Sequence, residues 1–310
     1  MPLSLIDSAH HIVLMAHKNP DADSLGSACA FYSYLLRFQK KVTLFCVSTE
    51  VNPNLEFLPW FSKLTSRFPE DADCMISFDC GSYSRLGIEN ELSLINFDHH
   101  LSNDFYGSVN LVDTDAISTT EVLYNFFVAN DVKINGKMAL SLYAGLMDDS
   151  KCFSSPACST KTFAIAQRLI ELGADHSMCV EWLYRRRSLA SLRIKGILLK
   201  QMSVVAQGRL AVFDVSLSLL EETGAVEVEC KRVLDEALGM RSVQAALMKI
   251  ERPDGGVKLS LRSDGTLDAS RIMAAFGGGG HVHRAGTQLK DENCNELAEK
   301  IIVMITKELI

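Results

Sequence analysis

The chain has 310 residues, 47% of them hydrophobic and 22% charged, with a formal net charge of −7. Those proportions fit a globular protein long enough for two domains, and the acidic balance excludes an electrostatic track for a long duplex while leaving small anionic substrates that metals and local cations can attract. Nine cysteines, odd in number and without a Cys-x-x-Cys pair, exclude a zinc-finger framework and read as small buried hydrophobes of a reducing compartment.

The N-terminus has neither a basic leader nor a long apolar core, and no apolar run approaches the ~18 residues of a membrane span, so the expected setting is cytoplasmic with no membrane partner. Residues 11–16 (His-Ile-Val-Leu-Met-Ala) read as a buried strand, followed by a polar loop over 17–23 that contains Pro20. Residues 24–38 carry apolar side chains at helical spacing. Strands are predicted over 41–47, 72–78 and 92–97, then helices over 118–128, 136–147 and 160–172. This alternation predicts an α/β domain, a parallel sheet with helices on both faces, whose active groups gather at the carboxyl ends of the strands. Residues 182–201, rich in Leu, Arg and Lys, predict one long connecting helix or two joined ones. Strands over 210–215, 242–251 and 257–262, the last two joined by the turn Arg252-Pro253-Asp254-Gly255-Gly256, predict a smaller α+β domain together with helices over 226–239, 269–276 and 292–308. The expected boundaries are 1–187, a helical linker over 188–202, and 203–310.

Acids and histidines recur at the predicted element ends. The first strand is followed by His17, Asp21 and Asp23, the third by Asp79, the fourth by Asp98-His99-His100, and a helix ends at Asp148-Asp149. Carboxylates with added imidazoles suit divalent cations of the manganese class. An Asp-x-Asp pair on a turning loop can send its carboxylates to two metals, and one Asp from a central strand can bridge them. Two metals about 4 Å apart would activate a water and hold an attacked phosphorus in line. Each motif alone has a plain alternative: Asp21 and Asp23 as cap and loop acids before Ser24, Asp79 as a turn residue beside Gly81, the histidines as a satisfied pair. The agreement of all four positions is what favours a metal cluster. Ser118-Thr119-Thr120 reads as a helix cap, with contact to substrate as the alternative.

A second constellation is Gly277 to Gly280 followed by His281, His283 and Arg284, with the strand ending in Arg262-Ser263 nearby in sequence. Glycines let successive N–H groups converge on an anion, and Arg and His suit phosphate.

The order His17-x3-Asp21-x-Asp23-x2-Gly26-Ser27, then Asp79, Asp98-His99-His100 and Asp148, resembles the DHH phosphoesterases. That family includes RecJ-type exonucleases, nanoRNases, cyclic-dinucleotide phosphodiesterases and family II pyrophosphatases. The later residues resemble its DHH-associated C-terminal domain, in which an Arg-Ser strand and a Gly-Gly-Gly-His loop hold the substrate. The resemblance implies a DHH catalytic domain over 1–187 and a substrate-binding domain over 203–310. It implies that His17 and Asp21 bind one metal, that Asp23, His99 and Asp148 bind a second, and that Asp79 bridges. It places His100 beside the substrate phosphate and Asp98 behind a histidine, orienting it. Substrate contacts would come from Arg262, Ser263, Gly278, Gly279, Gly280 and His281.

Two departures stand out. The nanoRNase group's fourth motif, Thr-Asp-Thr-Gly, is met by Met147-Asp148-Asp149-Ser150, with Asp148 matched to the ligand and Asp149 an extra acid. The usual His-x2-Ala-Ala-Gly becomes His281-Val-His283-Arg284-Ala285-Gly286, and Arg284 is expected to pair with a second phosphate, such as a 5′-terminal one.

The function implied is a nanoRNase-like, two-metal hydrolase (Mn2+, with Mg2+ or Co2+ as alternatives). It would cut dinucleotides and very short oligoribonucleotides to mononucleotides, with linear pGpG or pApA and 3′-phosphoadenosine 5′-phosphate among its substrates. Cyclic-dinucleotide or polyphosphate/pyrophosphate hydrolysis is the alternative. A non-catalytic nucleotide sensor is opposed by acids at every metal position. The resemblance also suggests a homodimer.

Overall fold

The computed structural model describes residues 2–49, 51–290 and 293–310. The chain divides into two units, Met1–Arg186 and Arg187–Ile310.

In the first unit α1 (Pro2–Ser8) leads into β1 (His11–Ala16), α2 (Ala22–Leu35), β2 (Lys41–Phe45), the two-residue β3 (Leu64–Thr65), β4 (Cys74–Phe78), β5 (Ser93–Asp98) and β6 (Val109–Val112). Then follow α3 (Thr119–Ala129), α4 (Gly136–Asp149), α5 (Thr160–Glu171) and α6 (His176–Val180), the last continuing into a π-helical turn. All six strands pair in parallel, in the order β3-β2-β1-β4-β5-β6. The order reverses between β1 and β4, and in an open parallel sheet that switch point is where a crevice forms beyond the strands' carboxyl ends.

Alternation along the strands sends side chains to two cores. Ile12, Leu14, Ile76, Phe78, Ile95 and Phe97 face the core shared with α2, α3 and α4. Val13, Met15, Phe45, Met75 and Leu94 face the other core. The expected helices on both faces take an unequal form. Long helices cover the first face, while the second is closed by loop residues such as Phe68 and Tyr106 and by the 3-10 turn Tyr83–Leu86 in the β4–β5 crossover.

The second unit runs α7 (Leu189–Gln201), β7 (Ser203–Val205), β8 (Leu210–Val215), α8 (Leu217–Thr223), α9 (Glu227–Cys230), α10 (Arg232–Leu238), β9 (Ala245–Glu251), β10 (Val257–Ser263), α11 (Ala269–Ala274), β11 (Gly279–His281), β12 (Arg284–Leu289) and α12 (Cys294–Leu309). Its mixed sheet has the order β11-β12-β10-β9-β8-β7, with β8 and β9 parallel and the other pairs antiparallel. α11 and α12 pack on one face; α7, α8 and α10 pack on the other. The segment expected as a linker, 188–202, carries α7, whose Ile194 and Leu198 are buried in that second core. The single helix predicted over 226–239 is two short ones, α9 and α10. The C-terminal helix begins at Cys294; Glu292, its predicted first residue, lies outside the described residues. Among the described residues no helix is long and apolar enough to cross a membrane.

Candidate metal centre

The predicted acids and histidines meet at the switch point. His17 follows β1 and is buried. Its Nδ1 lies 2.9 Å from the Lys18 carbonyl, so Nδ1 carries the proton and Nε2 is left as the basic atom. Nε2 is 3.5 Å from Asp79 Oδ2 and 3.9 Å from Asp21 Oδ1. Asp21 caps α2 as well, accepting from Ser24 N at 3.0 Å, so the capping reading and the cluster reading both hold for it. Its side chain is 45% exposed, the most open of the group.

Asp79 follows β4 with φ +57°, a left-handed conformation that aspartate tolerates better than most residues. Its N–H donates to Phe97 O, and its buried carboxylate accepts from Thr119 Oγ1 at 3.0 Å. The same carboxylate lies 3.5 Å from His99 Nε2 and 3.6 Å from His100 Nδ1. His99 repeats the logic of His17: its Nδ1 faces the Ala116 carbonyl at 3.2 Å, turning Nε2 inward.

Asp23, in the first turn of α2, is fully buried, and its carboxylate sits at the start of α3. Its oxygens accept from Thr119 N at 2.7 Å, Thr120 N at 2.9 Å and Thr120 Oγ1 at 2.7 Å. A helix N-terminus is a natural seat for a carboxylate. Ser118 is the cap of that helix, accepting from Glu121 N at 3.0 Å, while Thr119 and Thr120 hold the site's acids in place. Their sequence signal was the cap motif itself.

Asp98 is buried behind the histidines. It accepts from His100 Nδ1 at 2.7 Å, from Asn103 Nδ2 at 2.5 Å and from His99 N at 2.9 Å. Asp98→Asn keeps the shape and removes the charge that orients His100. The expected result is a fall of about 10–100-fold in kcat, the usual cost of losing an orienting partner, with little change in melting temperature; equal kcat for the two proteins would refute it.

The fourth motif requires a correction. His99 Nε2 lies 3.1 Å from Asp149 Oδ2, and Asp149 joins Asp23, Asp79 and His99 in one ligand group. Asp148 Oδ2 instead accepts from Ala22 N at 3.2 Å, at the start of α2. Neighbouring residues on a helix point about 100° apart, and here it is Asp149 whose carboxylate turns to His99. Shifting the match by one residue sets Thr-Asp-Thr-Gly against Asp148-Asp149-Ser150-Lys151. Lys151 has φ +52°, a conformation that suits the glycine of that pattern.

The ligand atoms fall into three groups, each within 4.8 Å: His17, Asp21 and Asp79; Asp23, Asp79, His99 and Asp149; and Asp79, His99 and His100. Asp79 belongs to all three. Burial, with the charges of Asp149 and Asp79, pushes the Asp23 pKa well above the usual carboxylate range. Burial also depresses His99, but hydrogen bonds to Asp149 and Asp79 outweigh it and push its pKa up to about 12. So many carboxylates drawn together, with two imidazoles whose tautomers leave Nε2 inward, form a donor set that fits divalent cations.

In the second unit the predicted residues separate. Arg262 and Arg284 are cross-strand neighbours on β10 and β12. Asp235 of α10 lies between them, its Oδ1 3.6 Å from Arg262 Nε and 3.9 Å from Arg284 Nη2. Arg262 is 17% exposed and Arg284 45%. Ser263 is buried, and its hydroxyl donates to Leu267 O at 2.8 Å and accepts from Gly265 N, so the expected substrate contact is corrected to a turn-closing role. The glycine run is corrected in part. Gly277 N and Gly278 N donate to Ala274 O and Met273 O, closing α11, and β11 pairs with β12. A methyl group at Gly278 would lie 2.3 Å from Gly286 O, so glycine serves close strand approach there. Gly279, Gly280 and His281 remain exposed.

Comparison with known proteins agrees with this architecture. Residues 11–146 match the DHH family N-terminal domain and residues 208–307 match the DHHA1 domain. The chain is 27% identical to the bifunctional oligoribonuclease and PAP phosphatase NrnA of Bacillus subtilis, over 93% of this chain and 91% of that one. It is 26% identical to the probable enzyme of that name from Streptococcus mutans, over 92% and 91%. The structure of an exopolyphosphatase-related protein from Bacteroides fragilis shares the fold, with a TM-score of 0.89 at 21% identity over 99% of this chain and 96% of that one. Two domain matches in tandem, and relatives that span nearly the whole chain, agree with the cluster around Asp79: the chain belongs to the DHH family of phosphoesterases, with a C-terminal DHHA1 domain.

Proposed function

We propose that the chain hydrolyses dinucleotides and very short oligoribonucleotides to mononucleotides, linear 5′-phosphorylated dinucleotides such as pGpG or pApA among them, and removes phosphate from 3′-phosphoadenosine 5′-phosphate. The observation that carries this reading is the sharing of Asp79 among three ligand groups. His17, Asp21 and Asp79 would hold one cation of the manganese class; Asp23, Asp79, His99 and Asp149 would hold a second. Such cations supply positive charge for phosphoryl oxygens and acidify a water. His100, fixed through Nδ1 by Asp98, turns its remaining ring nitrogen to the phosphate and donates to a non-bridging oxygen. The relatives named as oligoribonucleases and PAP phosphatases support the substrate class. A net charge of −7 supports short substrates over long tracks. Each unit carries a group suited to phosphate, the metal ligands in one and the Arg262–Arg284 pair in the other.

The test is a hydrolysis panel with Mn2+: pApA, a 24-mer oligoribonucleotide (about that length), a cyclic dinucleotide, 3′-phosphoadenosine 5′-phosphate and pyrophosphate. The expected order places pApA well ahead of the long oligomer and of pyrophosphate. EDTA should abolish turnover and Mn2+ restore it. Faster cleavage of the cyclic dinucleotide or of pyrophosphate would replace this reading with the corresponding hydrolase.

A further inference from the structure

Arg85 stands beside the candidate metal ligands with no acidic partner among the described residues. It lies on the 3-10 turn Tyr83–Leu86, where its carbonyl accepts from Lys18 N at 3.0 Å. Leu86 next to it is buried in the second core of the sheet. The turn ends at Gly87, with φ +72°, where a methyl group would lie 2.6 Å from Val47 Cγ1. The backbone of Arg85 is therefore pinned against the loop that follows β1.

Its side chain is exposed, and Nη2 lies 3.2 Å from His17 Nδ1. When His17 presents Nε2 to Asp21 and Asp79, Nδ1 already donates to the Lys18 carbonyl. Two donors then face each other, and the contact cannot be a hydrogen bond. Arg168, Arg252, Arg262 and Arg271 each have a carboxylate within ion-pair distance; Arg85 has none among the described residues. A guanidinium offers five N–H donors in a fork that fits two oxygens of one phosphoryl group.

We propose that Arg85 is a substrate-binding residue whose guanidinium grips two non-bridging oxygens of a phosphoryl group seated on the His17–Asp21–Asp79 side of the centre. The proposal rests on the phosphoesterase reading and adds a protein cation to a ligand set built of acids and imidazoles. It also explains why a flexible cation is held beside an imidazole that cannot accept from it: the anion it serves arrives with the substrate.

The test compares wild type, Arg85→Ala and Arg85→Lys by calorimetry, titrating Mn2+ into each protein and then inorganic phosphate into each Mn2+-loaded protein. Expected are Mn2+ affinities within about twofold of one another and a phosphate Kd raised about 10–100-fold in Arg85→Ala, the worth of charge-assisted hydrogen bonds. Arg85→Lys, which keeps the charge and loses the fork, should fall between. An unchanged phosphate Kd overturns the proposal. So does a weakened Mn2+ affinity with unchanged phosphate binding at metal saturation, which would make Arg85 a support for His17. Because phosphate binding is read directly, a wild type that fails to cleave pApA refutes the substrate reading and leaves the Arg85 comparison intact.

Discussion

Asp149→Ala abolishes hydrolysis of a short oligoribonucleotide, and Asp148→Asn does not: this is the result expected from two adjacent acids with opposite aims. Asp149 contacts His99 Nε2 at 3.1 Å and shares a ligand group with Asp23 and Asp79. Removing it takes a carboxylate from the centre and leaves the half-buried His99 imidazole without its nearest charge. The loss should exceed the roughly hundredfold that orienting residues cost when removed. Calorimetry should also show weakened Mn2+ binding. Asp148→Asn keeps an oxygen that can accept from Ala22 N, so its cost is the exchange of a charged for a neutral acceptor, about 1 kcal/mol of stability, with kcat within about tenfold of wild type. Full activity in Asp149→Ala, or a dead Asp148→Asn, would restore the original match of the motif.

That pair also shows where the sequence stops being legible. The presence of an acid at the end of α4 follows from the motif order, but the choice between neighbours depends on the rotation of the helix about its axis. Apolar periodicity fixes that rotation only to within about one residue, and one residue is about 100°. Only the structure supplies the missing signal: Lys151, on which the pattern's glycine falls once the match is shifted, has φ +52°. His17, Asp21, Asp79 and His99-His100 lie in loops directly after strands, Asp23 in the first turn of α2 and Asp98 at the end of β5, so their spacing is fixed by neighbours.

The second unit shows a related limit. Arg262 and Ser263 were read as one substrate-binding pair, yet consecutive residues of a strand face opposite sides of the sheet. Arg262 meets Asp235 of α10, while Ser263 closes the turn to Leu267. β11 was invisible because a glycine run has no side-chain alternation and reads as a loop; its pairing depends on β12 approaching closely. Arg85 was missed because it sits in a crossover that periodicity leaves unassigned, and only the fold brings it to His17.

Gly145→Ala is expected to damage the metal centre from beneath, although residue 145 supplies no ligand atom. α2 and α4 cross at two glycines: a methyl group at Gly26 would lie 2.5 Å from Ser141 O, and one at Gly145 would lie 2.7 Å from Asp23 Oδ1 and 2.8 Å from Asp23 Cα. A flexible side-chain end could move aside, but the α2 backbone at Asp23 cannot move without disturbing the Asp23 bonds to Thr119 and Thr120. Overpacking of this kind costs about 1–3 kcal/mol. The larger effect should be on the centre, because Asp23 must stay within reach of His99 and Asp149 to share a cation. Melting curves separate the two consequences. A cation that binds only the folded state raises the melting temperature, so Mn2+ should stabilise wild type and stabilise Gly145→Ala much less. Gly196→Ala is the control: it lies inside α7 with nothing within 4 Å of an added methyl group, and alanine there should gain about 0.5–1 kcal/mol. A Gly145→Ala protein that melts like wild type and keeps the full Mn2+ shift would mean that the α2–α4 crossing relaxes freely, and that Asp23 is not held where its hydrogen bonds place it.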